Sequence, residues 1–171
     1  MNRRYFLESC VGLSVVTVMS QSLLGSVIAQ NKGRARAVDN APKKIAKSDD
    51  EWKRTLSADQ YYITRQAGTE APYSSPLLNV HESGTFACVC CDLPLFSSKT
   101  KFESNTGWPS FWAPIAKHNI LEKVDKSLPE TRMEVLCARC DAHLGHVFED
   151  GPKPTGLRYC MNGVALKFVP A

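Results

Sequence analysis

CARCDAHLGHVFEDGPKPTGLRYCMN, residues 137–162, is the stretch on which the reading of this chain turns. It opens on a C-x-x-C pair, Cys137 and Cys140, and an identical spacing occurs upstream at Cys88 and Cys91. A C-x-x-C turn points two thiolates at one ion, and two such turns close a tetrahedron of four sulfurs. The 45 residues between Cys91 and Cys137 are too many for a simple finger, so the site is expected to staple two distant parts of a larger domain. Four thiolates leave no open coordination position, which makes the expected ion structural. Zinc is the first candidate and iron the other tetrahedral-sulfur option. Two separate redox pairs, or plain buried thiols, are the alternative. Cys90 falls inside the first pair and is read as a neighbouring packed thiol.

Outward from these turns the pattern is of short strands between turn residues. Candidates are 85–88, 94–96, 120–125, 133–137, 146–149, 157–161 and 165–169. Met133, Val135 and Cys137 alternate onto one face. Before them, Ser48-x-x-Glu51 and Ser57-x-x-Gln60 are capping boxes that predict two short helices, with Trp52, Leu56, Tyr61 and Tyr62 as packing anchors. The fold class expected is mainly β, antiparallel, with short N-terminal helices, over residues 48–171.

Residues 1–29 look like an export signal. Asn2-Arg3-Arg4-Tyr5-Phe6-Leu7 resembles a twin-arginine motif, a mildly apolar segment follows, and Val27-Ile28-Ala29 fits a cleavage site. Export to the periplasm is expected. An uncleaved leader would instead anchor the chain in the membrane, although its polar residues weaken that option. Residues 30–47 are rich in Lys, Arg, Ala and Pro without apolar periodicity, as a basic, flexible linker would be.

The 171 residues carry a formal charge of +4. Of the 21 Lys/Arg and 17 Asp/Glu, residues 1–47 hold eight and two, leaving 13 bases against 15 acids in 48–171. The basicity therefore belongs to the leader and linker, and no nucleic-acid partner is expected of the folded part.

Cys160 has no C-x-x-C partner. In a strand Arg158, Cys160 and Asn162 share a face, and a neighbouring guanidinium favours the thiolate, the nucleophilic form. His143 and His146 supply imidazoles for proton or hydrogen-bond donation. Asp150 is a candidate to orient one of them, and the Gly/Pro loop 151–156 turns the chain back toward Cys160. In Gly107-Trp108-Pro109-Ser110-Phe111-Trp112, the Gly and Pro mark a turn that can hold Trp108 at a surface. An aromatic wall there suits a methyl on sulfur. Phe111 and Trp112 are read as core.

Together, EWKRTLSADQYYITRQAGTE, CVCCDLPLF, GWPSF, CARCDAHLGHVFEDGP and GLRYCMN resemble, in order, the B-type peptide methionine sulfoxide reductases, across residues 48–171. The resemblance implies a fold of two antiparallel sheets (Mss4-like) and a structural Zn2+ on Cys88, Cys91, Cys137 and Cys140. It implies reduction of the R epimer of methionine sulfoxide in proteins or peptides. In that scheme Cys160 attacks the sulfoxide sulfur, His143 or His146 serves the oxygen, and Trp108 walls the methyl pocket. Arg158 stabilises the thiolate, while Asn162 and Asp150 hold the polar network. Cys160 becomes a sulfenic acid. Many relatives carry a resolving cysteine just before Gly-Trp-Pro-Ser-Phe, where this chain has Thr106. A thioredoxin-like dithiol is therefore the expected reductant. The rival reading is a non-catalytic zinc-knuckle binding module, which would have no need of Cys160.

Overall fold

The computed structural model describes residues 41–171. The leader and most of the linker lie outside the described residues. Both capping boxes form. Ser48 caps α1 (Asp49–Thr55), accepting from Glu51 N while the Glu51 carboxylate accepts from Ser48 N; Ser57 and Gln60 do the same for α2 (Ala58–Gln66). Each box satisfies helix N–H groups that the helix itself cannot. α2 ends at Ala67, which takes a left-handed conformation (φ 53°). Trp52 and Ile63 are buried, and Leu56 and Tyr61 pack against the core. Tyr62 is no anchor. It is 52% exposed, because the inward face of α2 is taken by Ile63 and Thr64. Chain ordering reaches back into the basic stretch, where Ile45 N–H donates to Arg139 O at 2.8 Å and Lys47 lies over the Trp52 ring.

All strand pairing is antiparallel. The smaller sheet holds β1 (Gly84–Cys88) between β2 (Pro94–Ser97) and β9 (Leu166–Pro170). The larger has six strands. Its order is β3 (Lys101–Phe102), β4 (Ser110–Phe111), β8 (Arg158–Met161), β7 (His143–Phe148), β6 (Arg132–Cys137), β5 (Ile120–Asp125). The two-sheet fold is the one expected. Two strands, β3 and β4, have no counterpart in the sequence reading, because two residues are too few to show a period. β7 begins three residues earlier than expected, where a register shift opposite Val135 and Leu136 interrupts its alternation.

Aromatic rings join the sheets. Phe86 from β1 meets Phe111 from β4 edge-on at 4.9 Å, and Phe96 from β2 stacks on Phe111 at 4.5 Å and approaches Tyr159 from β8 at 5.7 Å. All four are essentially inaccessible to solvent, and truncating any one to Ala would cost about 3–5 kcal/mol. Trp112 does not join them. It follows Phe111 on the opposite face and is only half-buried.

Candidate active site and metal knuckle

The face of the large sheet turned away from this core carries the polar residues. On β8 the alternation is strict: Tyr159 and Met161 are buried, while Arg158 and Cys160 point the other way. Cross-strand register then builds a row. Cys160 lies opposite Ser110 of β4 on one side and His146 of β7 on the other, and His146 lies opposite Glu134 of β6. β7 reaches this position only because residue 145 is glycine. A Cβ there would sit 2.1 Å from the Cys160 carbonyl oxygen.

A pocket of about 120 Å³ opens over the row, lined by Trp108, Phe148, Cys160, His146, Arg132 and Asn162 among others. Trp108 is fixed by its indole N–H, which donates to Glu70 O at 3.2 Å. Arg158 forms a two-pronged pair with Asp150, both bonds 2.8 Å, and lies over the Phe148 ring at 4.4 Å. The guanidinium holds the Asp150 carboxyl below its ordinary range. Burial pushes the Cys160 thiol up, while Thr106, Arg158 and Ser110 pull it back toward the thiolate.

The two histidines are not equivalent. His146 lines the pocket, and its Nε2 is 2.9 Å from Asp125 Oδ2. Burial lowers its pKa against the pull of Asp125, and Arg132 and His143 lower it further. His143 is behind it, edge to face with ring centroids 5.5 Å apart, and is 4% exposed. Its Nδ1 is 2.7 Å from Glu134 Oε1, and its Nε2 is buried without a partner. Asp150 orients neither imidazole, contrary to the sequence reading. Its place beside a histidine is taken by Asp125, because Asp150 lies on the loop next to Arg158.

Asn162 is buried and does more than share a face with Cys160. Its Oδ1 accepts Glu70 N–H at 3.0 Å and its Nδ2 donates to Leu144 O at 3.2 Å. The Glu70 carboxylate accepts the N–H groups of Gly163 (2.6 Å) and Val164 (2.9 Å). Glu70 thus ties Trp108 to the end of β8. Sequence reasoning missed Glu70, Asp125, Arg132 and Glu134. For Arg132 and Glu134 a signal existed: if Met133 and Val135 face inward, their neighbours face the other side.

At the far end of β1 and β6 the four knuckle cysteines converge. Their sulfurs all lie within 4.8 Å of one another, with Cys88–Cys140 at 3.7 Å and Cys91–Cys137 at 3.5 Å. A tetrahedron with metal–thiolate bonds of about 2.3 Å has an edge of about 3.8 Å, so the set fits a four-coordinate ion. The two turns are built alike. Asp92 N–H donates to Cys88 O and Asp141 N–H to Cys137 O, both at 2.9 Å, with each Asp left-handed (φ 63° and 57°). Since β1 and β6 belong to different sheets, an ion held by the four sulfurs would staple one sheet to the other. Arg65 of α2 clamps it by donating to Cys140 O at 2.8 Å. Cys90 is half-buried and bonds to Thr64 Oγ1 at 3.3 Å.

Comparison with known proteins agrees with this architecture. The SelR domain family matches residues 56–170. The chain is 52% identical over 125 residues to the peptide methionine sulfoxide reductase MsrB of Hahella chejuensis, covering 73% of this chain and 90% of that protein. It is 53% identical over 128 residues to the MsrB of Pseudomonas putida, covering 75% and 96%. It is 54% identical over 127 residues to the mitochondrial methionine-R-sulfoxide reductase B2 of Danio rerio, covering 70% and 71%. With its two-sheet fold and a site gathered on one strand row, the chain belongs to the SelR-domain family, the B-type peptide methionine sulfoxide reductases.

Proposed function

We propose that the chain reduces the R epimer of methionine sulfoxide in proteins and peptides, with Cys160 as nucleophile. The observation that carries this reading is the row Ser110–Cys160–His146 beneath a pocket walled by Trp108 and Phe148. The aromatic wall suits the S-methyl group, and the side bearing His146 and Arg132 suits the sulfoxide oxygen.

The Cys160 thiolate attacks the sulfoxide sulfur. The S–O bond breaks, the oxygen passes to Cys160 with one proton, and methionine leaves, so that the thiolate is oxidised to a sulfenic acid. Arg158 offsets the burial that opposes the thiolate. His146 is the group assigned to the oxygen, since it lines the pocket and faces Cys160 across the strand pair; His143, held by Glu134, backs its ring. A thioredoxin-like dithiol then attacks the sulfenic sulfur. Water leaves, a mixed disulfide forms, and the second thiol releases Cys160 reduced. Thr106 at the position next to Cys160 offers no internal thiol for this step.

The tetrathiolate is assigned to structural Zn2+, supported by its sulfur spacing and closed donor set. The leader is assigned to export of the folded, metal-loaded domain to the periplasm. Metal-free protein with disulfides among Cys88, Cys91, Cys137 and Cys140 in that compartment would overturn this.

The test of function is turnover on the separate R and S epimers of a peptide methionine sulfoxide, with thioredoxin and its reductase as donor. Wild type is expected to consume only the R epimer and Cys160→Ser neither. Activity on the S epimer alone, or undiminished activity in the variant, would refute the proposal.

A further inference from the structure

Three hydroxyls stand in single file beside Cys160. Thr106 Oγ1 is 3.8 Å from Cys160 Sγ, Ser104 Oγ is 2.8 Å from Thr106 Oγ1, and Ser110 Oγ is 2.7 Å from Ser104 Oγ. The file ends at a fixed acceptor, the carbonyl oxygen of Trp108, 3.1 Å from Ser110 Oγ. Ser110 is 1% exposed and sits in register with Cys160 on the adjacent strand.

Each hydroxyl owns one hydrogen and can also accept. That inventory permits, for each state of the thiol, an arrangement that uses every hydroxyl hydrogen. With Cys160 protonated, its S–H donates to Thr106, Thr106 to Ser104, Ser104 to Ser110, and Ser110 to the Trp108 carbonyl. With Cys160 ionised, the thiol proton has gone to water and Thr106 turns to donate to the sulfur; Ser104 and Ser110 can turn with it, which releases the Trp108 carbonyl. Ser110 then donates to Ser104, Ser104 to Thr106, and Thr106 to the sulfur. No hydroxyl hydrogen is idle in either arrangement. The hydroxyls rotate and no covalent O–H bond breaks. A donor chain of this kind polarises along its length, so the hydrogen bond reaching the sulfur is stronger than one from an isolated hydroxyl.

We propose that Ser104, Thr106 and Ser110 form a reversible hydroxyl chain that stabilises the Cys160 thiolate by reversing its donor direction when the thiol ionises. This rests on the reading of Cys160 as nucleophile. Thr106 and Ser110 both bear on the reacting sulfur, whereas Ser104, which bridges the two, acts through them as a positioning residue. The charged or titratable groups facing Cys160 from the other packed elements are Arg158 on β8, His146 on β7 and Arg132 on β6. From β4 and the loop before it, Cys160 meets the hydroxyls.

The test uses the full chain, metal-loaded, and follows the pH dependence of Cys160 alkylation by iodoacetamide, site-resolved by peptide mass spectrometry. It needs no sulfoxide, so it stands apart from the assay of reductase activity. Thr106→Val is expected to move the titration midpoint up and slow alkylation at pH 7 by about tenfold. Ser104→Ala, which removes nothing within contact of the sulfur, is expected to shift it the same way by about threefold. Thr106→Ser keeps the hydroxyl and is expected to stay within about twofold of wild type. Thr106→Ala repeats the measurement without the valine's bulk, and thermal melts confirm the fold of each variant. A wild-type titration in folded Thr106→Val and Thr106→Ala would overturn the proposal. So would an unchanged Ser104→Ala, since Thr106 would then act without a chain.

Discussion

The four-cysteine knuckle and the Cys160 row use one functional group in opposite surroundings. At the knuckle, four sulfurs face each other at tetrahedral spacing, on two turns whose backbones are locked by matching N–H···O bonds and left-handed aspartates. Cys160 sits mid-strand, without a sulfur partner among the described residues, between a guanidinium on its own strand, a hydroxyl on one neighbour and an imidazole on the other. The first environment turns four sulfurs toward one another where the two sheets meet. The second leaves one sulfur open to a pocket. Reactivity here is set by what surrounds the thiol and by how the strand presents it.

Single substitutions can break this contrast. Cys160→Ser is expected to have the largest effect, lowering sulfoxide reduction at least about 10³-fold because the weaker nucleophile is left at the reacting position. The thermal midpoint should stay within about 2 °C of wild type, since serine preserves the shape and the hydroxyl neighbours. A Cys160→Ser protein that melts early would mean that this sulfur is also structural.

Cys137→Ser should do the converse. It opens the tetrathiolate and leaves a weak ligand in a buried site, so apparent stability should fall by several kcal/mol and metal should be lost. The melt, metal content by plasma emission and residual activity are read together. Activity should fall in proportion to the folded fraction, with KM unchanged in what remains. A fully folded but inactive Cys137→Ser would erase the division between scaffold and chemistry.

Trp108→Ala comes third. The indole walls the pocket and is anchored by Glu70, so its loss should raise KM for a methionine sulfoxide peptide by about tenfold, the worth of one aromatic contact, with a smaller change in kcat. A change in kcat alone would place Trp108 with the reacting groups.

The two regions also differed in how far the sequence disclosed them. The knuckle was legible because C-x-x-C is a local pattern and its geometry follows from spacing alone. The strand Arg158–Met161 was legible for the same reason, as i and i+2 share a face. Partners brought in by long-range register were not. Asp125 reaches His146 only through the pairing of β5, β6 and β7, and Glu70 reaches Trp108 and Asn162 across 38 and 92 positions. Asp150 was a candidate to orient one of the histidines, whereas strand register gives His146 to Asp125 and leaves Asp150 to Arg158. β3 and β4 were invisible as two-residue strands, though β4 supplies Phe111 to the core and Ser110 to the row.

Asp125 offers the finest test of the contrast, because it acts on the Cys160 row without touching the sulfur. Its carboxyl is held well below the usual range, first by Ser127 and then by His146 and Arg132. His146 is held below its ordinary value by burial, with Asp125 pulling the other way. For both groups the folded pKa lies under the unfolded one. Each therefore contributes stability above its unfolded value, 6.5 for the imidazole and 3.8 for the carboxyl, that is lost as pH falls through the folded value. Asp125→Asn removes a hydrogen-bonded negative charge from His146, so the imidazole midpoint followed by ¹H–¹⁵N NMR should move further down. The acid limb of kcat/KM should follow it if the neutral ring is the working form. The knuckle should keep its metal over the same interval above pH 6. A midpoint that moved up would show that Arg132, released from its partner, no longer bears on His146 as the register requires.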